Sequence, residues 1–227
     1  QTVAARFGST WLPEPDLSTV DAVVVAAPTQ HHTDLAMATI GAGLPLLLEK
    51  PLADSYEQAE DIVAGWFRIA GFDLRTERRD GRQFGFEAMA GRFKGHIDGC
   101  LISGPVAMDY PALWENKALG ASSWKDVIKR GVCIARPVYA AQIAVYQSYL
   151  TLHEHPALFT AVNADTMEIY TELVPFDAVL AQRMSDRAVK VITATDAGEL
   201  LPRAFHESTH FECRMCPWQD RCWRSPT

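Results

Sequence analysis

Two short stretches decide the fold: Gly95-His96-Ile97-Asp98-Gly99 and, after a loop, Trp114-Glu115-Asn116-Lys117. Asp98 closes the alternating run Phe93-Lys94-Gly95-His96-Ile97, and a period of two predicts a strand. Glu115 and Lys117 stand two apart. On an extended strand they share one face, and Asn116 takes the other. Carboxylates at 98 and 115 supply the oxygen donors that a hard divalent cation prefers, and a lysine beside them can neutralise charge on a reacting oxyanion. The same residues would also suit a hairpin with carboxylates in water and a Glu–Lys pair on its surface.

Working outward toward the carboxyl end, Trp114–Ala118 reads as the strand that carries the motif. The polar segment Ser122–Arg136 holds Lys125, Lys129, Arg130 and Arg136 against one acid, Asp126. Pro137 precedes a helix expected over Val138–Leu152, on which Gln142 and Tyr146 are four apart and share a face. Phe159–Asn163 and Met167–Val174 read as a hairpin, and Asp177–Thr193 as a long helix. The tail Cys213-Arg-Met-Cys216-Pro-Trp-Gln-Asp-Arg-Cys222 has the C-x-x-C spacing, plus a third cysteine, of a thiolate metal site for zinc or iron–sulfur. His210 could complete a zinc site of three cysteines and a histidine. Cys100 reads as a core residue, and Cys133 as buried.

Toward the amino end, Phe72–Arg79, Arg82–Ala90 and Phe93–Ile102 read as three antiparallel strands, the first two joined by the turn Asp80-Gly81. Earlier still, Val20–Ala27 is a β-branched run of the kind buried on both faces of a parallel sheet. Thr33–Gly43 reads as a helix, Leu44–Leu48 as a second strand, and Ser55 opens a further helix that runs through to Ile69. This is a β-α-β-α order, a piece of a doubly wound sheet. His31 and His32 read as solvated loop residues.

The chain of 227 residues is 48% hydrophobic with a net charge of −7, which argues against coating nucleic acid by bulk charge but leaves room for a local basic groove. No apolar run reaches the length of a membrane span. Five cysteines, three of them near the carboxyl end, suit a reducing cytoplasm better than a secreted disulfide framework. The expected organisation is residues 1–62 as a truncated Rossmann-like segment, 63–200 as a mixed-sheet core flanked by helices, and 201–227 as a cysteine-rich tail.

Two resemblances follow from these residues. VDAVVVAAPTQHH (20–32) and AGLPLLLEKPLADS (42–55) closely resemble the Gfo/Idh/MocA family of nicotinamide-dependent oxidoreductases, in which the lysine of the Glu-Lys-Pro motif, here Lys50, lies beside the nicotinamide. The glycine-rich turn that holds the pyrophosphate in such domains is absent from this sequence. Asp98, Glu115-x-Lys117, Gln142-x-x-x-Tyr146 and the three tail cysteines, in that order, resemble the RecB-like PD-(D/E)XK nucleases, in particular phage-type and CRISPR-associated exonucleases with a [4Fe–4S] cluster. That second resemblance covers about residues 65–223. It implies an α/β nuclease core and a metal-dependent DNA nuclease, with Asp98 and Glu115 as ligands of Mg²⁺ or Mn²⁺ and Lys117 as the catalytic lysine. Gln142 and Tyr146 would position DNA, Cys213, Cys216 and Cys222 would hold the cluster, and recombination or phage replication proteins would be partners. Lys125, Lys129, Arg130 and Arg136 are then expected to bind phosphates. The first resemblance implies instead a nicotinamide-dependent oxidoreductase, and a third reading is a nucleic-acid-binding remnant without catalysis.

Overall fold

The computed structural model describes Arg6 and residues 9–10, 12–49, 52–166 and 168–224. Lys50 lies outside them. The eight-residue strand β7 (Ala112–Leu119) is the centre of a five-stranded mixed sheet in the order β3-β6-β7-β8-β9, with β3 (Asp73–Arg75), β6 (Gly99–Ser103), β8 (Ala157–Asn163) and β9 (Ile169–Val174). β7 runs antiparallel to β6 and parallel to β8, the register placing Glu115 opposite Phe159 and Asn116 opposite Thr160. A parallel neighbour requires a crossover. Three helices supply it: α3 (Ala121–Arg130), α4 (Val132–Ala135) and α5 (Pro137–Tyr149). Pro137 sits in the first turn of α5, where its missing N–H has no intrahelical partner to lose.

Both faces of the sheet are covered. On one, Leu113 and Leu119 of β7 join Phe159 and Ala161 of β8 under Trp124 and Val127 of α3 and Ile143 of α5. On the other, Trp114 and Leu158 pack with Val63 and Ala64 of α2 (Tyr56–Ile69). α2 starts at Ser55, whose hydroxyl accepts from the Gln58 N–H while the Gln58 carboxamide accepts from the Asp54 N–H, a reciprocal cap. Its opposite side meets the amino-terminal unit: Ile62 packs with Ala36 and Ile40 of α1 (His32–Gly41). A Cβ at Gly65 would stand 3.2 Å from the Ile40 side chain, so the glycine permits the close helix approach. One helix therefore belongs to both cores.

The amino-terminal unit is β1 (Val23–Val25), α1 and β2 (Leu46–Leu48), with the strands parallel. The expectation of a strand buried on both faces fails. Val24 and Leu47 are each 65% exposed: among the described residues this sheet has two strands, and its helices cover one side. The three-strand expectation upstream of Asp98 also changes. β3 pairs with β6, while β4 (Gly85–Ala88) pairs with β5 (Phe93–His96) in a separate hairpin, and the chain breaks between β5 and β6 at Ile97-Asp98. Ser122–Arg136, read only as a polar segment, is helical, with Trp124 and Val127 buried at a spacing of three. The long helix α6 (Ala178–Ala197) is capped by Asp177, which accepts from the Leu180 N–H, and ends at Gly198 in the left-handed region. Two short helices, α7 (Phe211–Arg214) and α8 (Gln219–Arg224), complete the tail.

Candidate functional site

Strand alternation on β7 turns Glu115 and Lys117 to the α5 side of the sheet and Asn116 to the α2 side. Asp98, in the break between β5 and β6, reaches the same place by accepting from the Asn116 backbone N–H at 2.7 Å. The Lys117 ammonium lies between the two carboxylates: it donates to Glu115 Oε1, sits 3.6 Å from Asp98 Oδ2, and donates to the Asn116 carbonyl at 3.0 Å. Tyr139 of α5 places its ring 5.7 Å from the same ammonium. Gln142 donates to the Tyr146 hydroxyl at 3.2 Å on the helix face above. Gly95 makes that approach possible, since a Cβ there would be 2.5 Å from Tyr146 Cε1.

Burial governs the electrostatics. Glu115 is fully buried, and desolvation together with the Asp98 charge pushes its carboxyl up to about 8 despite Lys117. Among the described residues its Oε2 has no hydrogen-bond partner, while its other oxygen accepts from the lysine. Burial also raises Asp98, against the pull of Lys117 and the Asn116 N–H. For Lys117, burial works against the charge, but the two carboxylates outweigh it and raise the ammonium above its usual range. Tyr146 is raised by burial, partly offset by Gln142. Burial thus favours the neutral form of Glu115 near neutral pH beside the Lys117 ammonium, an arrangement suited to proton exchange.

The remaining expected groups are more dispersed. Lys125 and Lys129 are exposed on α3, while Arg130 and Arg136 both bond to Asp126, which divides their charge. A groove of about 510 Å³ between the β4–β5 hairpin, α5 and α6 carries Arg92, Lys94 and Arg187 beside Phe86, Gln142 and Tyr146. These groove cations were not singled out in the sequence, because two elements far apart in the chain, the hairpin and α6, contribute them. Cys213 stands on α7, Cys222 on α8 and Cys216 between, and all three are free thiols. His210 stacks on Phe205 at 3.8 Å and accepts from the Glu212 N–H instead of turning to the thiols. Among the described residues no three His, Cys, Asp or Glu side chains gather as a metal site. Cys100 is buried as expected. Cys133 is exposed, because α4 turns Val132 and Ala135 inward and leaves 133 outside. His32 is buried, not solvated, with Nε2 at 2.7 Å from the Ala27 carbonyl.

Comparisons with known proteins point to the other end of the chain. Residues 9–65 match the model described as "Oxidoreductase family, NAD-binding Rossmann fold". Similar curated proteins include 4-carboxy-2-hydroxymuconate-6-semialdehyde dehydrogenase of Sphingobium sp., 46% identical over 44 residues, which are 19% of this chain and 14% of that protein. Inositol 2-dehydrogenase 1 of Saccharopolyspora erythraea is 53% identical over 45 residues, covering 20% of this chain and 13% of the relative. Inositol 2-dehydrogenase 2 of the same organism is 43% identical over 53 residues, 23% and 16% of the two chains. The chain therefore spans about a sixth or less of the length of these relatives. The crystal structure of SSO0001 aligns over 93% of this chain and 91% of its own at 14% identity, with a TM-score of 0.40, too low to carry an argument.

These matches correct the functional reading of the sequence. The family model and the three relatives are oxidoreductases, so the expectation of a metal-dependent DNA nuclease is overturned. The α/β fold with a mixed sheet and a Rossmann-like amino-terminal segment stands; the assignment of that sheet as a nuclease core does not gain support. The expectation of Mg²⁺ or Mn²⁺ and of an iron–sulfur or zinc site is overturned with it, since the matching family model is described as NAD-binding. In physical terms, the cation between Asp98 and Glu115 is the lysine ammonium, and the tail thiols stand on different helical turns. The localisation reading reduces to one fact: among the described residues no helix is long and apolar enough to cross a membrane.

The described residues do not by themselves form a cradle for a dinucleotide pyrophosphate. Ala26-Ala27-Pro28-Thr29 leads from β1 toward α1 without a glycine, where close approach of a phosphate to the backbone requires one. The helix that follows begins at His32 with no side-chain cap.

Proposed function

We propose that this chain serves a nicotinamide-dependent oxidoreductase, residues 9–65 contributing a β–α–β unit of the dinucleotide-binding domain. The observation that carries the reading is the family match over those residues, with dehydrogenases among the similar proteins as support. The activity proposed for the whole protein is hydride exchange between nicotinamide and an alcohol or aldehyde. Asp98, Glu115 and Lys117 are proposed as its proton-exchanging groups, with Gln142 and Tyr146 positioning a ligand over them. The test is calorimetric titration with NAD⁺, NADH, NADP⁺ and NADPH. Saturable binding of one redox pair is the expected result, and no binding of any of them at millimolar concentration would overturn the reading.

A second reading rests on two sets of cations: Lys125 and Lys129 on α3 with Arg130 and Arg136 beside Asp126, and the groove with Lys94, Arg187 and Arg92, the last also paired with Asp196. In this reading the carboxyl-terminal part holds a nucleic-acid backbone by its phosphates, whatever the chemistry of the whole protein. Affinity for single-stranded DNA would then fall steeply and equally for all sequences as salt rises. Absence of salt-dependent binding sinks it.

A further inference from the structure

The five-stranded sheet has two edges, and the chain protects one of them. β3, at the first edge, is three residues long, shifts register between Asp73 and Leu74, and carries the Asp73–Arg75 ion pair at 3.0 Å. Short, irregular and charged edge strands resist pairing with another chain. β9, at the other edge, keeps six residues in unbroken register with β8. It contains no lysine, arginine or proline, and Glu172, the one acid within it, is turned inward. The Glu172 Oε2 accepts from the Val132 N–H at 2.8 Å and from the Tyr170 hydroxyl at 3.0 Å. Among the described residues no strand, and no backbone hydrogen bond from another element, covers the outer side of β9.

The side chains beside that edge are apolar. Ile169, Thr171 and Leu173 stand opposite Val162, Thr160 and Leu158, and so share the α2 side of the sheet. α2 does not cover them fully: Ile169 is 43% and Leu173 47% exposed. With Trp66, Phe67 and Met108 they line a hollow of about 470 Å³. A two-fold axis normal to the sheet would set β9 antiparallel to itself, with both α2 sides on one face. Opposed residues must then come from the same side of the strand, and two registers keep five opposed positions within Ile169–Val174. The register centred on Glu172 sets it against the partner's Glu172, with like charges directly opposed. The register centred on Thr171 sets Ile169 against the partner's Leu173 and Tyr170 against the partner's Glu172. Apolar then meets apolar, and phenol meets carboxylate.

We propose that β9 pairs with β9 of a second copy of this chain in the Thr171-centred register, joining two five-stranded sheets into one. The pairing gives partners to the outer N–H and C=O groups of both strands. It also brings the Ile169 and Leu173 rows of the two copies together beside the two hollows. Five opposed residues span about 17 Å of strand. Such a contact lies at the small end of stable interfaces, which bury about 1,200–2,000 Å². The dimer is therefore expected at micromolar concentration. It involves neither residues 9–65 nor the acid cluster, and so it holds whether or not the chain binds a dinucleotide.

The test is sedimentation velocity of the full chain from low micromolar to several hundred micromolar concentration. Wild type should pass from monomer to dimer within that range. Thr171→Lys and Thr171→Glu, at an exposed position, each oppose like charges across the axis and should raise the dissociation constant roughly tenfold. Circular dichroism checks that each variant is folded. An equimolar mixture of the two should restore a dimer, because a strand that faces itself at position 171 brings lysine against glutamate. Should either variant not fold, Thr171→Cys gives a gentler probe. Oxidised with diamide, it should be linked from position 171 to position 171 by peptide mapping, since opposed Cα atoms about 4.5–5.5 Å apart suit a disulfide. Ile169→Cys, which faces the partner's Leu173, should give no link to itself. A wild type that stays monomeric throughout, a dimer unchanged by Thr171→Lys and Thr171→Glu, or a mixture of the two that stays monomeric overturns the proposal.

Discussion

Replacing Glu115 by Gln should make stability less dependent on pH, and the size of the effect follows from burial. An unfolded chain ionises Glu near 4.5, whereas the folded chain holds Glu115 to about 8. Below the lower value both states are protonated and the residue contributes nothing to pH dependence. Between the two values the unfolded chain releases a proton that the folded chain keeps, so stability falls as pH rises; above about 8 the loss is complete. A gap of this width corresponds to an upper limit on the order of 5 kcal/mol at 1.36 kcal/mol per unit, reduced by coupling to Lys117 and Asp98. Gln keeps an acceptor for Lys117, and its NH₂ replaces an Oε2 that is already unpartnered, so the constant part of the change should be small. Urea denaturation of both proteins at about pH 5 and about pH 9 measures the difference of differences. The variant should gain on wild type toward high pH by roughly 2–4 kcal/mol. A difference that stays flat, or that favours wild type at high pH, would refute the placement of a neutral Glu115 in the core.

Other outcomes test separate parts of the structure. Cys133 should react readily with a maleimide in the folded protein, while Cys100, whose thiol burial pushes up to about 11, should stay unmodified until the protein unfolds; peptide mapping distinguishes them. His32→Leu should destabilise by roughly 1–3 kcal/mol in thermal or urea melts, because the Ala27 carbonyl loses a buried donor. Thr160→Val breaks the relay between Trp114 and Asn116 and should cost a similar roughly 1–3 kcal/mol, since it leaves the indole N–H without an acceptor.

Much of the larger sheet was legible because its signals are local. Alternation fixed which way Glu115, Asn116 and Lys117 point, and Asp177 and Gly198 bracket α6 with ordinary capping chemistry. The failures are tertiary. A β-branched run such as Val20–Ala27 shows that a strand forms, not how many neighbours it finds, and among the described residues it finds one on a sheet bare on one side. The pairing of β3 with β6 skips a whole hairpin, and no turn signal records such a jump. Ser122–Arg130 hid its helix because charges outnumber the two buried positions, Trp124 and Val127, that define the inner face of α3. Cysteine spacing was the least reliable guide, since a C-x-x-C pair promises proximity only when the backbone between the thiols folds them toward one point. The functional motif around Glu115 was visible as a cluster, but the occupant of the space between its carboxylates is decided by the reach of Lys117, which spacing does not specify.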